Sequence, residues 1–199
     1  MAVTERESRQ IRRRLLEAIW NKNPDQFKKR LTEAGEEKIN LNADYLVGSN
    51  DTVTFHTYLQ SSVSVGCPEI LDYILDLGAA VNSANRHGVT PLHEACSVNS
   101  LTLVKALLKR GADPNAASDT GRTPLMVACI HYNLDIVREL LDANADIDYT
   151  DCHGDSALHL LLGYDKEPES YSNVRYMSQD FILYTLSVNI YMSYYILSQ

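Results

Sequence analysis

This sequence predicts an all-α solenoid, in which helix–turn–helix units joined by hairpin loops stack into about four to five repeats once degenerate caps are included. Three observations predict it. Gly88, Gly121 and Gly154 recur in steps of 33 residues. Thr90, Thr123 and Ser156 keep the same step, as do Leu92, Leu125 and Leu158. Between these positions, Ala95 matches Ala128, Leu107–Leu108 matches Leu140–Leu141, and Ala112–Asp113 matches Ala145–Asp146.

Each unit can be read physically from its first residues onward. Gly88 or Gly121 permits the positive φ of a tight turn. Thr90-Pro91 or Thr123-Pro124 then opens a helix, because Thr can cap it and Pro suits its first position. The first helix is short, roughly Pro91 to Val98, with Leu92, Ala95 and Cys96 on one face. In the second, roughly Leu101 to Lys109, Leu101, Val104, Leu107 and Leu108 give amphipathic spacing. Gly111 stops it, and Ala112 to Ser118 runs extended to the next turn. Such a unit cannot bury its apolar face alone, whereas stacked copies cover one another. Small residues at Ala95 and Ala128 let neighbouring helices approach.

The pattern G-x-TPLH-x-A, followed by a second helix ending in LL-xx-GAD-x-N, resembles the ankyrin repeat. Thr90, Pro91, Leu92, His93, Ala95, Leu107, Leu108, Gly111, Ala112, Asp113 and Asn115 occupy the matching positions. Residues 85–117 and 118–150 are the two clean repeats. Residues 52–84 read as a degenerate repeat, with Thr57 and Leu59 in place but Phe55 and Tyr58 standing for Gly and Pro. Residues 1–51 read as an N-terminal helical cap, Leu15 to Gly35 being a helix pair and Glu36 to Asp51 an enlarged hairpin loop. Arg12, Arg13 and Arg14 suit a polar outer face of that cap, and Trp20 and Phe27 are expected to pack against the first repeat. Residues 151–189 form an interrupted C-terminal repeat or cap. There HGDSALHLLLGY is a good first helix, the polar stretch from Asp165 to Gln179 reads as an insertion, and Phe181 to Asn189 resumes a second-helix pattern. Residues 190–199 are a tail outside the pattern.

The resemblance implies a protein-binding module, not a catalyst. In that family the hairpin tips and first helices form a concave surface that binds partner proteins. Framework positions repeat because packing requires them, so the varied positions between them are the candidate contacts. At the tips these are Arg86, His87, Val89, Asp119, Thr120, Arg122, Cys152, His153 and Asp155. On the first helices they are Glu94, Ser97, Val98, Val127, Ile130, His131 and Leu160. Charged tips around Val98 and Ile130 match an interface with an apolar centre and a polar rim. Any one of these residues alone can equally be solvated surface. Charge reversal at Arg86 and Arg122 together is expected to weaken binding and leave the melting temperature nearly unchanged. Such a module can be a scaffold, adaptor or inhibitor. Alternatively it is the substrate-recognition subunit of a ubiquitin ligase, although the last forty residues hold no persuasive SOCS box.

Other chemistries find little support. No G-x-x-x-x-G-K, G-x-S-x-G or H-E-x-x-H occurs, so no nucleotide loop, nucleophile elbow or zinc-protease helix is expected. The resemblance gives His93 and His159 a hydrogen-bonding role within the turn framework. His87, His131 and His153 have no metal-ligand spacing, and neither metal nor cofactor is expected. Asn115, in Leu107…Asp113-Pro114-Asn115, resembles sites of the hypoxia-pathway asparaginyl hydroxylase, with Pro114 where Val is usual; otherwise it is a structural hairpin residue. Tyr132 stands where most such repeats have Gly, so either that turn differs or the repeat is strained.

Charge and cysteines narrow the class further. The net charge of −8 disfavours nonspecific nucleic-acid binding. Residues 1–30 hold nine of the eighteen Lys and Arg against four acids, while Asp113 to Asp155 holds nine acids against Arg122 and Arg138. The basic start reads as a solvated cap face, with acidic lipid or nucleic acid as alternatives. Cys67, Cys96, Cys129 and Cys152 form no C-x-x-C pair and read as free thiols of a reducing compartment. The N-terminus has no apolar h-region, so cytoplasm or nucleus and a monomer are expected. Phe181 to Leu197 carries no charge. It reads as a capping helix and sticky tail, with a membrane anchor or an interface as alternatives.

Overall fold

The computed structural model describes residues 5–35, 39–43, 45–49 and 52–162. The polar insertion, the segment 181–189 and the tail 190–199 lie outside the described residues.

The described chain runs as helix pairs. The first is α1 (Glu5–Trp20) and α2 (Pro24–Ala34). Leu15, Ala18 and Ile19 on α1 and Phe27 and Leu31 on α2 are fully buried, the three-to-four spacing that puts side chains on one helix face. Asn23 caps α2, its Oδ1 accepting from the Gln26 N–H at 2.9 Å. Phe27 meets Tyr73 edge-on with ring centroids 6.3 Å apart, so it does pack against the first repeat. Trp20 does not: it is 54% exposed.

β1 (Tyr45–Ser49), in the segment read as an enlarged hairpin loop, and β2 (Thr52–His56), in the degenerate repeat, form an antiparallel hairpin, with Tyr45 opposite His56 and Ser49 opposite Thr52. The second strand lies wholly within the start of residues 52–84. The hairpin is an addition to an otherwise helical solenoid.

Three further pairs follow: α3 (Tyr58–Ser64) with α4 (Pro68–Asp76), α5 (Pro91–Ser97) with α6 (Leu101–Lys109), and α7 (Pro124–Ile130) with α8 (Leu134–Asp142). Last comes the single turn-and-a-half of α9 (Ala157–Leu162). Pro stands at the first turn of α4, α5 and α7, where its missing N–H would have had no helical partner anyway. Ser100 and Asn133 cap α6 and α8 through the amides of Leu103 and Ile136.

The first helices stack in one inner row, α1 on α3, α3 on α5, α5 on α7 and α7 on α9. The second helices form an outer row, in which α2 meets α4 and α6 meets α8. One continuous core lies between the rows, through Leu59, Leu92, Leu125, Ile74, Leu107 and Leu140, all fully buried. Each such leucine contributes about 1.5–3 kcal/mol by leaving water. Ala95, Cys96, Ala128 and Cys129 are fully buried where inner helices touch. Burial raises both thiols, Cys129 to about 12, so they remain protonated and inert. On the outer row Arg110 ties α6 back to α4 through Asp76 at 2.7 Å and Asp72 at 2.9 Å. Lys105 reaches Glu139 of α8 at 3.3 Å.

A left-handed residue closes every helix–helix turn: Lys22, Gly66, Asn99 and Tyr132, with φ of 48°, 68°, 58° and 53°. The turn at Tyr132 therefore keeps the common geometry and carries the strain of a bulky residue there.

Candidate functional site

The candidate face is built from the hairpin tips and the inner helices. Each tip closes through the same backbone bond four residues apart: Asn85 N–H to Val89 O, Ser118 N–H to Arg122 O, and Asp151 N–H to Asp155 O. The residue opening the tip also accepts from inside it. Asn85 Oδ1 takes the amides of His87 and Val89, Asp151 Oδ1 those of His153 and Asp155, and Ser118 Oγ that of Arg122. Short polar side chains at 33-residue spacing do this because they can fold back on their own backbone. The repeat of Asn85, Ser118 and Asp151 was visible in the sequence, but their acceptor role was not read from it.

Neighbouring tips are joined by main chain. Asp119 N–H donates to His87 O at 3.0 Å, and Cys152 N–H donates to Thr120 O at 2.9 Å. This approach explains Gly88 and Gly121: a Cβ at Gly88 would come 2.8 Å from Asp119 N, and one at Gly121 3.0 Å from Asp151 Cα.

Side chains on the inner helices tie each tip to the preceding repeat. His93 Nδ1 accepts the Thr90 N–H at 3.1 Å, which leaves Nε2 as the protonated nitrogen, and Nε2 donates to Arg122 O at 2.9 Å. Burial lowers the pKa of His93, against a smaller upward pull from the Arg122 carbonyl, so the imidazole is held neutral. One repeat earlier Gln60 does the same work with an amide. Its Oε1 accepts from Thr57 N–H at 2.7 Å, and its Nε2 donates to Val89 O at 2.6 Å. One repeat later the position is Met126, which has no donor. Ser156 N–H reaches His159 Nδ1 at 3.2 Å. His93 is thus a framework residue, and Gln60 is its functional equivalent that a search for histidine misses.

The residues singled out from the sequence divide by what they touch. Arg86, His87, Asp119, Thr120, His131, Cys152 and His153 are exposed, and Val98 is 38% exposed. Val89, Glu94, Val127, Ile130, Asp155 and Leu160 are half-buried. Glu94 is in hydrogen-bond contact with Ser64 of the preceding repeat. Arg122 is engaged by the next tip. Its Nε lies 3.7 Å from Oδ2 of Asp151, whose side chain is fully buried. That oxygen accepts no hydrogen bond. Burial pushes the Asp151 pKa up, but the His153 and Asp155 amides, aided by His153 and Arg122, bring it net below the ordinary carboxylate value. An Arg122→Glu change would set a second carboxylate beside this one and lower the melting temperature. The expectation for the double charge reversal therefore becomes a lowered melting temperature, not a nearly unchanged one.

Asn115 stitches loops together. It accepts from Asp146 N–H at 2.7 Å and donates to Asn144 O at 3.1 Å, while Asn82 accepts from Asp113 N–H at 2.9 Å one repeat earlier. Among the described residues, no three His, Cys, Asp or Glu side chains come together as metal ligands would. Nor is any described helix long and apolar enough to cross a membrane.

Comparison with known proteins agrees with this geometry. A family model described as ankyrin repeats (many copies) matches residues 74–125, and one described as ankyrin repeats (3 copies) matches residues 111–177. A search of curated proteins returned no match.

Proposed function

Because the chain belongs to the ankyrin-repeat proteins, whose repeats mediate protein–protein interaction and are typically non-catalytic, we propose that it is a scaffold, adaptor or inhibitor that holds a partner protein on its concave face. One observation carries this reading. The framework of Thr90/Thr123, Leu92/Leu125 and Ala95/Ala128 is constant and buried, while the intervening face changes from repeat to repeat. A surface preformed on buried helices loses little freedom on binding, which favours affinity. The reading includes a monomer acting in the cytoplasm or nucleus, without cofactor, nucleic acid or metal. Arg86, His87, Val89, Glu94, Val98, Asp119, Arg122, Ile130, His131, His153 and Asp155 are its contact residues.

The test is affinity purification from lysate with mass spectrometry, comparing wild type with Arg86→Glu/His131→Glu, which spares the Arg122–Asp151 pair. Loss of one captured protein from the variant, with its melting temperature kept, supports the concave site. An identical capture moves binding to the basic cap or to the C-terminal segment, where membrane contact would also lie. Recovery of elongin B and C would instead make the chain a ubiquitin-ligase subunit. Intact mass after exposure to the asparaginyl hydroxylase tests Asn115 separately: no added oxygen leaves it a loop residue only.

A further inference from the structure

The inner face is not uniform along the stack. At one position of each repeat stand Ser61, Glu94, Val127 and Leu160, each 33 residues from the last. At a second position stand Ser64, Ser97 and Ile130. The first row is polar on α3 and α5 and apolar on α7 and α9, its Ser61 being itself buried, and the second is polar on α3 and α5 and apolar on α7. Val98, 38% exposed at the end of α5, marks where the apolar part begins. Glu94 is the only charge in these rows. Arg86 and Arg122, on the neighbouring tips, are exposed cations.

We propose, resting on the reading above, that this face is matched to a single amphipathic α-helix of a partner protein lying along the stack, with a cationic end over α5 and two apolar anchors over α7 and α9. The spacing supports a helix. Packed helices stand about 8–10 Å apart, and a helix advances about 10.5 Å in about seven residues. One side chain per two turns therefore meets each successive repeat in register. The charges give the sense: Glu94 takes a lysine or arginine, Val127 with Ile130 and then Leu160 take apolar residues, and Arg86 and Arg122 favour carboxylates on the flank facing the tips. Docking an apolar helix face into such a groove follows the common helix-in-groove mode of recognition.

The test uses the full chain and a stapled synthetic helix carrying lysine, leucine and leucine at successive intervals of about seven residues, with glutamates on one flank. Calorimetry compares it with a second helix of the same composition in the order leucine, lysine, leucine, and with a third whose flank glutamates are lysines. The expected result is at least tenfold tighter binding of the first helix, with that preference reduced by Glu94→Gln and by Ile130→Ser. Equal affinity for the three helices overturns the proposal, and it does so with wild-type protein, independent of any variant's folding. A photocrosslinker at position 130 that reacts within residues 163–199 also overturns it, making the chain's own C-terminal segment the occupant. If the helices are not distinguished while lysate capture still depends on Arg86 and His131, this proposal fails and the broader reading stands.

Discussion

Residues 85–117 and 118–150 have the same framework and are held together differently. The first uses His93 to bind both its own turn and the next tip, Asn99 in its helix–helix turn, and Gly111 after its outer helix. The second has Met126, Tyr132 and Asn144 at those places, with φ of 53° and 63° at the last two. Each exchange loses something. Met126 cannot donate to Asp155 O, Tyr132 takes a left-handed conformation that Asn99 tolerates better than a bulky ring does, and Asn144 takes one that Gly111 adopts without a Cβ to oppose it. The second repeat offsets this from outside itself, through the Arg122–Asp151 pair and the contact of α7 with α9. In a solenoid a repeat can be weak alone and still fold, because the interface with its neighbour carries part of its stability.

The comparison can be broken or sharpened in four ways. The largest effect should come from closing the tips. Gly88→Ala should destabilise by about 2 kcal/mol or more, and more than Gly121→Ala, because its Cβ meets backbone at 2.8 Å. Urea melts with equal costs at both sites would show that tip contact does not set the difference. Next, Met126→Gln should stabilise by about 1 kcal/mol by restoring what Gln60 provides, a donor for the next tip. No gain would mean that the one bond Asp155 O accepts, from Asp151 N–H, is enough for it.

The third is a pH profile. The His93 pKa is lowered in the folded chain, so its contribution is complete above the unfolded value near 6.5 and is lost as pH falls toward the folded value. The melting temperature should fall on acidification below about pH 6.5, and His93→Gln should remove that portion of the fall. A mutant profile superimposable on wild type would exclude His93 as its source. Smallest of all, Asn144→Gly should stabilise by a few tenths of a kcal/mol to about 1 kcal/mol. Hydrogen exchange should show the 118–150 amides opening before those of 85–117, and less so in this variant.

The regular part of the fold was legible because its signals are local. Thr-Pro at 90–91 and 123–124 and glycine at 88 and 121 each specify a backbone state without reference to distant residues. The strands β1 and β2 were not legible, since residues 45–51 have no 33-residue counterpart and residues 52–56 keep little of the repeat, with Phe55 in the place of Gly88. Trp20 was misplaced because helical spacing identifies a face but not what covers its last turn. At the concave face the varied positions could be read as gaps between framework residues. The partners of those residues could not. Arg122 and Asp151 lie 29 positions apart in the chain and meet only after two tips have stacked. Gln60 was not legible as the partner of His93, because what recurs at that position is an acceptor and a donor at the two ends of a planar group and not a residue type.

The bonds between tips run from main chain to main chain, His87 O to Asp119 N and Thr120 O to Cys152 N. The pitch of the stack along its tips is therefore indifferent to which side chains those four residues carry. A lineage can exchange them one at a time and alter what is recognised without altering the ruler on which recognition is measured. Gly88 and Gly121 are the graduations of that ruler, and mutational drift should spare them while it rewrites everything written between.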